Sequence, residues 1–198
     1  MHRSCNGLLL CSTFHYCSYY LLNPTTKQHV ALDPPPNCAL PAYEAIVGFH
    51  LAFDPSKSPH YKVICVSWAA ICRYQIDIYS SETRHWRVSG NRFTEQRCGD
   101  RFIEGVFWNG NIHWSGAWLR FNVDLECLER MPAAPVYRQY SCRGERYRYF
   151  GESNDHLHLI QELGKEFRVF EMERDYSGWF VKYHVDLSGV EFEHNKQR

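Results

Sequence analysis

Cys5, Cys11 and Cys17 recur at intervals of six with His15 before the last, and His156 and His158 stand two apart, on one face of any strand that carries them. Thiolates and imidazoles are zinc ligands, but a closed tetrahedral site needs a Cys-x-x-Cys pair matched by a second close pair, and none occurs. No metal is expected; the cysteines should fill small strand positions and the histidines should lie on solvated faces. A serine nucleophile needs a strained elbow, and Gly151-Glu152-Ser153 lacks the second glycine. Cysteine catalysis needs a histidine partner that spacing alone does not supply, and 22 acidic residues nominate no particular pair for glycoside hydrolysis. Phosphate loops of the Gly-x-x-x-x-Gly-Lys or Gly-x-Gly-x-x-Gly kind are missing, so no nucleotide or other cofactor is expected. Trp86, Trp108, Trp114 and Trp179 could stack sugars, yet tryptophan at recurring positions packs sheet against sheet.

Composition narrows the classes further. Apolar residues make up 44% and aromatics 16% of the 198 residues, enough to build an ordered core. Lys plus Arg equal Asp plus Glu at 22 each, and this balance gives no field for a phosphate backbone, so nucleic acid is not an expected partner. No apolar run reaches the roughly 18 residues of a membrane helix, and Gly7 to Cys11 is too short for a signal-peptide core. The expectation is a soluble intracellular chain, cytoplasmic or nuclear, that keeps its 9 cysteines reduced and has no membrane partner.

The elements that must position these side chains are strands. Tyr74 to Tyr79 alternates polar and apolar residues, as does Val181 to Leu187, and each reads as half-buried. Asn109-Gly110, between aromatic flanks, reads as a tight hairpin turn. One phrase recurs: a strand, a short polar turn and a second strand. It covers Tyr19 to Leu32, Tyr74 to Val88, Leu119 to Met131 and Phe167 to Leu187. Asn23, Ser80, Asn122 and Glu171 in these copies stand 57, 42 and 49 residues apart by subtraction of their positions, near the roughly 40 to 50 of propeller blades. A second hairpin precedes each phrase: Ile46 to Asp54 with Tyr61 to Trp68, Gly105 to Trp108 with Asn111 to Trp114, and Arg148 to Asn154 with His156 to Gln161. Only the first unit, read from Gly7, lacks its opening strand. The fold class is all-β: a β-propeller-type repeat of antiparallel four-stranded blades, an incomplete ring of about four blades. The domain is placed at residues 1–190, with a polar tail at 191–198.

The sequence resembles the F-box associated domain of plant F-box proteins, a kelch-related, propeller-like module. The residues that carry the likeness are Ser4-Cys5-Asn6-Gly7-Leu8-Leu9-Leu10-Cys11, Tyr20 to Gln28, Ala52-Phe53-Asp54-Pro55 with His60-Tyr61-Lys62-Val63, Ile78 to Thr83, Trp86 to Gly90, Trp108 to Trp114 and Tyr149 to Ser153. The resemblance implies a protein-interaction module that holds the protein to be ubiquitylated within a Skp, cullin and F-box ligase, with no catalysis of its own. The leucine- and proline-rich F-box segment is not found in the chain, so the Skp adaptor is an expected partner only with an F-box upstream. The alternative is a carbohydrate- or small-ligand-binding propeller with hydrolytic activity.

Loop length sorts the two ends of such blades. Short turns, including Asn109-Gly110, Asn154-Asp155 and Ser81 to Arg84, fall on one face. The inner links and the crossings Asp33 to Glu44, Asn91 to Glu104 and Pro132 to Tyr147 fall on the other, and long loops on a rigid scaffold are where recognition concentrates. That face should carry the protein-binding residues His15, Tyr16, Arg73, Arg97, Trp118, Tyr137, Arg138, Tyr140 and Arg143, of types enriched at interface hot spots.

Overall fold

The structure is a computed structural model that describes residues 3–12, 18–36, 46–70, 73–95, 101–135 and 148–189. It divides into two compact units, Met1–Met131 and Pro132–Arg198. Every regular element among the described residues is a strand, and all pairings are antiparallel between chain neighbours. The first sheet is β1 (Arg3–Cys5), β2 (Leu8–Ser12), β3 (Tyr19–Asn23) and β4 (Gln28–Leu32). The second is β5 (Ile46–Ala52), β6 (Lys62–Ala70), β7 (Arg73–Ser80) and β8 (His85–Thr94). The third is β9 (Gly105–Trp108), β10 (Asn111–Trp114), β11 (Leu119–Asn122) and β12 (Leu128–Arg130). These three form the first unit. The second unit holds β13 (Tyr149–Ser153), β14 (His156–Leu163), β15 (Glu166–Met172) and β16 (Trp179–Asp186). The repeat of four-stranded antiparallel meanders matches the sequence reading, with one correction. The first sheet does have an opening strand, because Arg3–Cys5 pairs with Leu8–Leu10 across an Asn6-Gly7 turn. A three-residue strand is too short to display alternation, which is why the sequence pattern hides it.

The turns repeat a simple chemistry. Asn6-Gly7, Asn109-Gly110 and Asn154-Asp155 all have both residues at positive φ, the two-residue hairpin turn whose twist suits the flanking strands. The longer turns 24–27, 81–84 and 115–118 each close on a residue in the left-handed region: Lys27, Arg84 and Trp118. Asn23 and Asn122 end their strands by accepting two backbone N–H bonds from the residues two and three ahead, replacing ladder partners lost at the turn.

Packing around the second sheet departs from expectation. Residues 74–79 of β7 are all buried, not half-buried. Phe49, Leu51, Val63, Cys65 and Tyr79 pack with Leu8, Leu10, Tyr19 and Leu21 of the first sheet. On the opposite face Ile64, Val66, Tyr74, Ile76 and Ile78 pack with Ile112, Trp114, Leu119 and Phe121 of the third. A strand between two packed sheets has no solvent face, so its polar members must satisfy one another, and Gln75 Nε2 donates to Asp77 Oδ1 at 3.2 Å. Phe102 closes this core, its ring 4.8 Å from Tyr74, 5.3 Å from Phe93 and 5.4 Å from Trp114 by centroid. Gly105 is required by close approach: a Cβ there would lie 2.5 Å from His50 Nδ1 and 2.7 Å from Trp114 Nε1.

In the second unit β16 is a strand, as expected, but not half-buried. Val181, Tyr183 and Val185 are 51%, 58% and 42% exposed. Among the described residues β16 has a strand on one side only, and the register shifts between Val169 and Phe170, opposite Lys182. A bulge breaks simple alternation and re-aims a side chain, here Lys182 toward Glu171.

Candidate functional site

Of the nine side chains expected at the binding face, Arg73 and Trp118 lie within the described residues; His15, Tyr16, Arg97, Tyr137, Arg138, Tyr140 and Arg143 lie outside them. Arg73 opens β7 and is exposed, and Trp118 closes the β10–β11 link half-buried. Both therefore stand at the link ends of their sheets. Trp118 is held at φ +51°, and its carbonyl accepts the Met131 N–H at 3.0 Å. A bulky residue in that region is uncommon and marks a locally constrained turn. Beside it Arg101 Nη1 donates to the Gly116 carbonyl at 2.8 Å, tying the crossing before β9 to the same link.

The turn ends of the second and third sheets build a cleft that loop sorting passed over. Its volume is about 240 Å³, and Ala52, Phe107, Gly110 and Val123 line it together with Asp54, Lys57, Ser58, His60, Lys62, Ser80, Glu82 and Asp124. Where the first and third sheets open with an Asn-Gly turn, the second opens with the connection 53–61, and this longer segment forms one wall. The wall is well ordered by its own bonds. Asp54 Oδ1 accepts from the Ser56 N–H and hydroxyl, the Asp54 carbonyl accepts from Lys57 and Ser58, and Ser58 Oγ accepts from the His60 N–H. The Ser56 hydroxyl bond, against the opposing effect of burial and with help from the Ser56 N–H and nearby Lys57, holds the Asp54 carboxyl below its ordinary range, so it is ionised at neutral pH. At the base, Tyr61 and Ser81 exchange two bonds: Tyr61 N–H to Ser81 Oγ at 2.9 Å and Ser81 N–H to Tyr61 O at 3.0 Å. The first sheet grips the same segment, since the Phe53 carbonyl accepts from Asn6 Nδ2 at 2.7 Å and from Cys5 Sγ at 3.4 Å. Tyr61 is pushed up to about 12, chiefly by burial and then by Tyr79, and stays a neutral phenol.

Both lysines at the cleft are spoken for. Lys62 Nζ donates to Asp124 Oδ1 at 2.8 Å and to the Val123 carbonyl at 3.3 Å, and Lys57 Nζ lies 3.4 Å from Asp54 Oδ2.

The tryptophans, histidines and cysteines that could carry chemistry have the following contacts. Trp108 and Trp114 are buried, Trp86 packs against Phe49 and Tyr79 while donating to the Asp33 carbonyl, and Trp179 donates to the Pro132 carbonyl. The histidines divide: among the described residues His29, His60, His85 and His184 are exposed as expected, whereas His50 and His113 are not. His50 is buried and accepts from Trp114 Nε1 at 3.0 Å, and buried His113 lies 3.2 Å from the Val106 carbonyl. A carbonyl only accepts, so His113 Nδ1 carries a proton and donates. Burial drives the His113 pKa down to about 3, so the ring is neutral. In the second unit, His156 Nδ1 lies 3.0 Å from Glu171 Oε1, His158 Nε2 lies 2.8 Å from Oε2, and Lys182 also reaches Oε2. Burial opposes the Glu171 charge, but bonds from Lys182 and His158 outweigh it and hold the carboxyl below its ordinary range. One buried carboxylate thus ties β14, β15 and β16 together. Among the described residues Cys5, Cys11, Cys65 and Cys127 are thiols outside any disulfide; Cys17 and His15 lie outside the described residues.

Residues 1–130 match the family model described as the F-box associated beta propeller domain. The chain belongs to that family. It is 34% identical over 209 aligned positions to an F-box protein of Arabidopsis thaliana, an alignment covering 93% of this chain and 48% of the relative. The chain therefore spans about half the length of the curated relative it matches. Among solved structures it is similar to TolB from Acinetobacter baumannii, at 11% identity and a TM-score of 0.43 over 83% of this chain and 37% of that one. The F-box associated assignment accords with the sequence resemblance and with the meander sheets, and the matched residues nearly coincide with the first unit.

Proposed function

We propose that the chain is the substrate-holding part of an F-box subunit: it binds a protein and presents it for ubiquitin transfer performed elsewhere in a Skp, cullin and F-box ligase, with no catalysis of its own. The observation that carries this reading is membership of the F-box associated family, together with 34% identity to an F-box protein over nearly the whole chain. Physically, a module of this kind needs a stiff scaffold with loops at the sheet ends. The doubly buried second sheet supplies stiffness in the first unit. In this reading the link-end loops, with His15, Tyr16, Arg73, Arg97, Trp118, Tyr137, Arg138, Tyr140 and Arg143, contact the bound protein, and adaptor docking is left to an F-box segment.

The test is to join the chain to an F-box segment, reconstitute the ligase, and follow ubiquitylation of the captured proteins with and without the Skp adaptor. Adaptor-dependent ubiquitin chains on the captured proteins are expected, and replacing Arg138, Tyr140 and Arg143 together by alanine should reduce them at unchanged thermal midpoint. Captured proteins that never acquire ubiquitin under these conditions would overturn the proposal.

A further inference from the structure

We infer that the cleft between the second and third sheets accepts the side chain of a lysine or arginine from an extended segment of the bound protein, an inference that rests on the chain being a protein-holding module. Size sets the first limit: about 240 Å³ is below the roughly 300–1,000 Å³ of pockets that enclose a drug-sized ligand, and suits one long side chain. The lining sets the second. Ala52, Phe107 and Val123 offer an apolar wall, against which the methylene stem of a lysine or arginine packs while its charged end stays near water.

Charge decides the sign of the guest. Lys57 is paired with Asp54, and Lys62 with Asp124 and the Val123 carbonyl. Glu82 is the remaining formal charge in the lining, exposed and without an ion-pair partner among the described residues. Among the described residues the cleft therefore carries one uncompensated negative charge, which a cationic side chain neutralises. An anionic guest would meet Glu82, Asp54 and Asp124 and find both lysines already engaged. Pre-organisation adds to this, because the 53–61 wall is fixed by Asp54, Ser58 and Ser81 before any guest arrives, which lowers the ordering cost of binding. This connection is also where the second sheet departs from the tight Asn-Gly turns of its neighbours, so the extra residues are what create the site.

The probes are short capped peptides, acetyl-Ala-Ala-X-Ala-Ala-amide, with X as lysine, arginine, norleucine or glutamate, titrated into the full ¹⁵N-labelled chain. Lysine and arginine peptides should shift the amides of Lys57, Ser58, Gly110 and Val123, norleucine should bind more weakly, and glutamate should leave them unmoved. Glu82→Gln should weaken the lysine and arginine peptides about two- to fivefold, the scale of an exposed ion pair, and Glu82→Lys should turn the preference toward glutamate. Both replacements are at an exposed turn residue, and an unchanged thermal midpoint confirms folding. Equal binding of glutamate and lysine peptides, no shifts at the cleft with any peptide, or an unchanged lysine affinity in Glu82→Gln would overturn the inference. No ligase component enters this titration, so it can fail while adaptor-dependent ubiquitylation succeeds, and the reverse.

Discussion

Acid should weaken this protein through His113 well before its carboxylates titrate. The imidazole is buried in β10, donates from Nδ1 to the Val106 carbonyl, and has its pKa lowered from 6.5 to about 3, with burial the main cause. Below pH 6.5 the unfolded chain takes up a proton at this residue and the folded chain does not, so the unfolded state binds more protons and is favoured as pH falls. The stabilising contribution is fully present above 6.5 and is lost progressively down to about 3. Each pH unit in that window costs about 1.4 kcal/mol, so moving from pH 7 to pH 5 removes about 2 kcal/mol through this one group. That figure is insensitive to the folded value, which lies far below 5. Asp54, Glu126 and Glu171 are all held below ordinary values of 3.8 to 4.5, so their losses begin at lower pH. Urea unfolding of the wild type and of His113→Gln at pH 7 and pH 5 checks the argument, since glutamine keeps a donor and has no proton to gain. The wild type should lose about 2 kcal/mol more than the variant between the two conditions. Equal losses would show that His113 titrates normally, and the burial argument would fail.

Two further outcomes concern the core of the first unit. Phe102→Ala should cost about 3–5 kcal/mol in the same unfolding assay, because it empties the space shared by Tyr74, Phe93 and Trp114; a loss under about 1 kcal/mol would mean that these rings collapse into the gap. Gly105→Ala should destabilise by about 1–3 kcal/mol and shift the Trp114 indole N–H resonance, since the new methyl would displace the His50–Trp114 pair; an unmoved resonance would contradict the close approach.

What the sequence could reveal depended on how local the cause was. Asn109-Gly110 dictates its own hairpin, because the φ angles such a turn needs are intrinsic to those two residues, and the same holds for the strand-ending Asn23 and Asn122. Asn6-Gly7 has the same chemistry but does not stand out in the sequence, since its flanking Arg3–Cys5 is too short for a pattern. Burial was less legible than pairing. Alternation along Tyr74 to Tyr79 implies one wet face, yet neighbouring sheets cover both, and no feature of the segment itself announces the second neighbour. In β16 the bulge at Lys182, and the lack of a second neighbour among the described residues, undo a pattern that reads as half-buried. The cleft was the least legible part. Asp54, Glu82, Gly110 and Asp124 come from four separate turns, and only tertiary packing shows that they share a wall.

The grip of Asn6 and Cys5 on the Phe53 carbonyl has a consequence for the order in which the chain matures on the ribosome. The hairpin that holds Cys5 and Asn6 leaves the exit tunnel before residue 53, and the opposite wall, at Val123 and Asp124, follows much later. Replacing Cys5 and Asn6 by alanine would remove both bonds, loosening a wall whose own residues are untouched. Cys5 and Asn6 thus act as a brace for a guest site that is completed only when the third sheet has emerged.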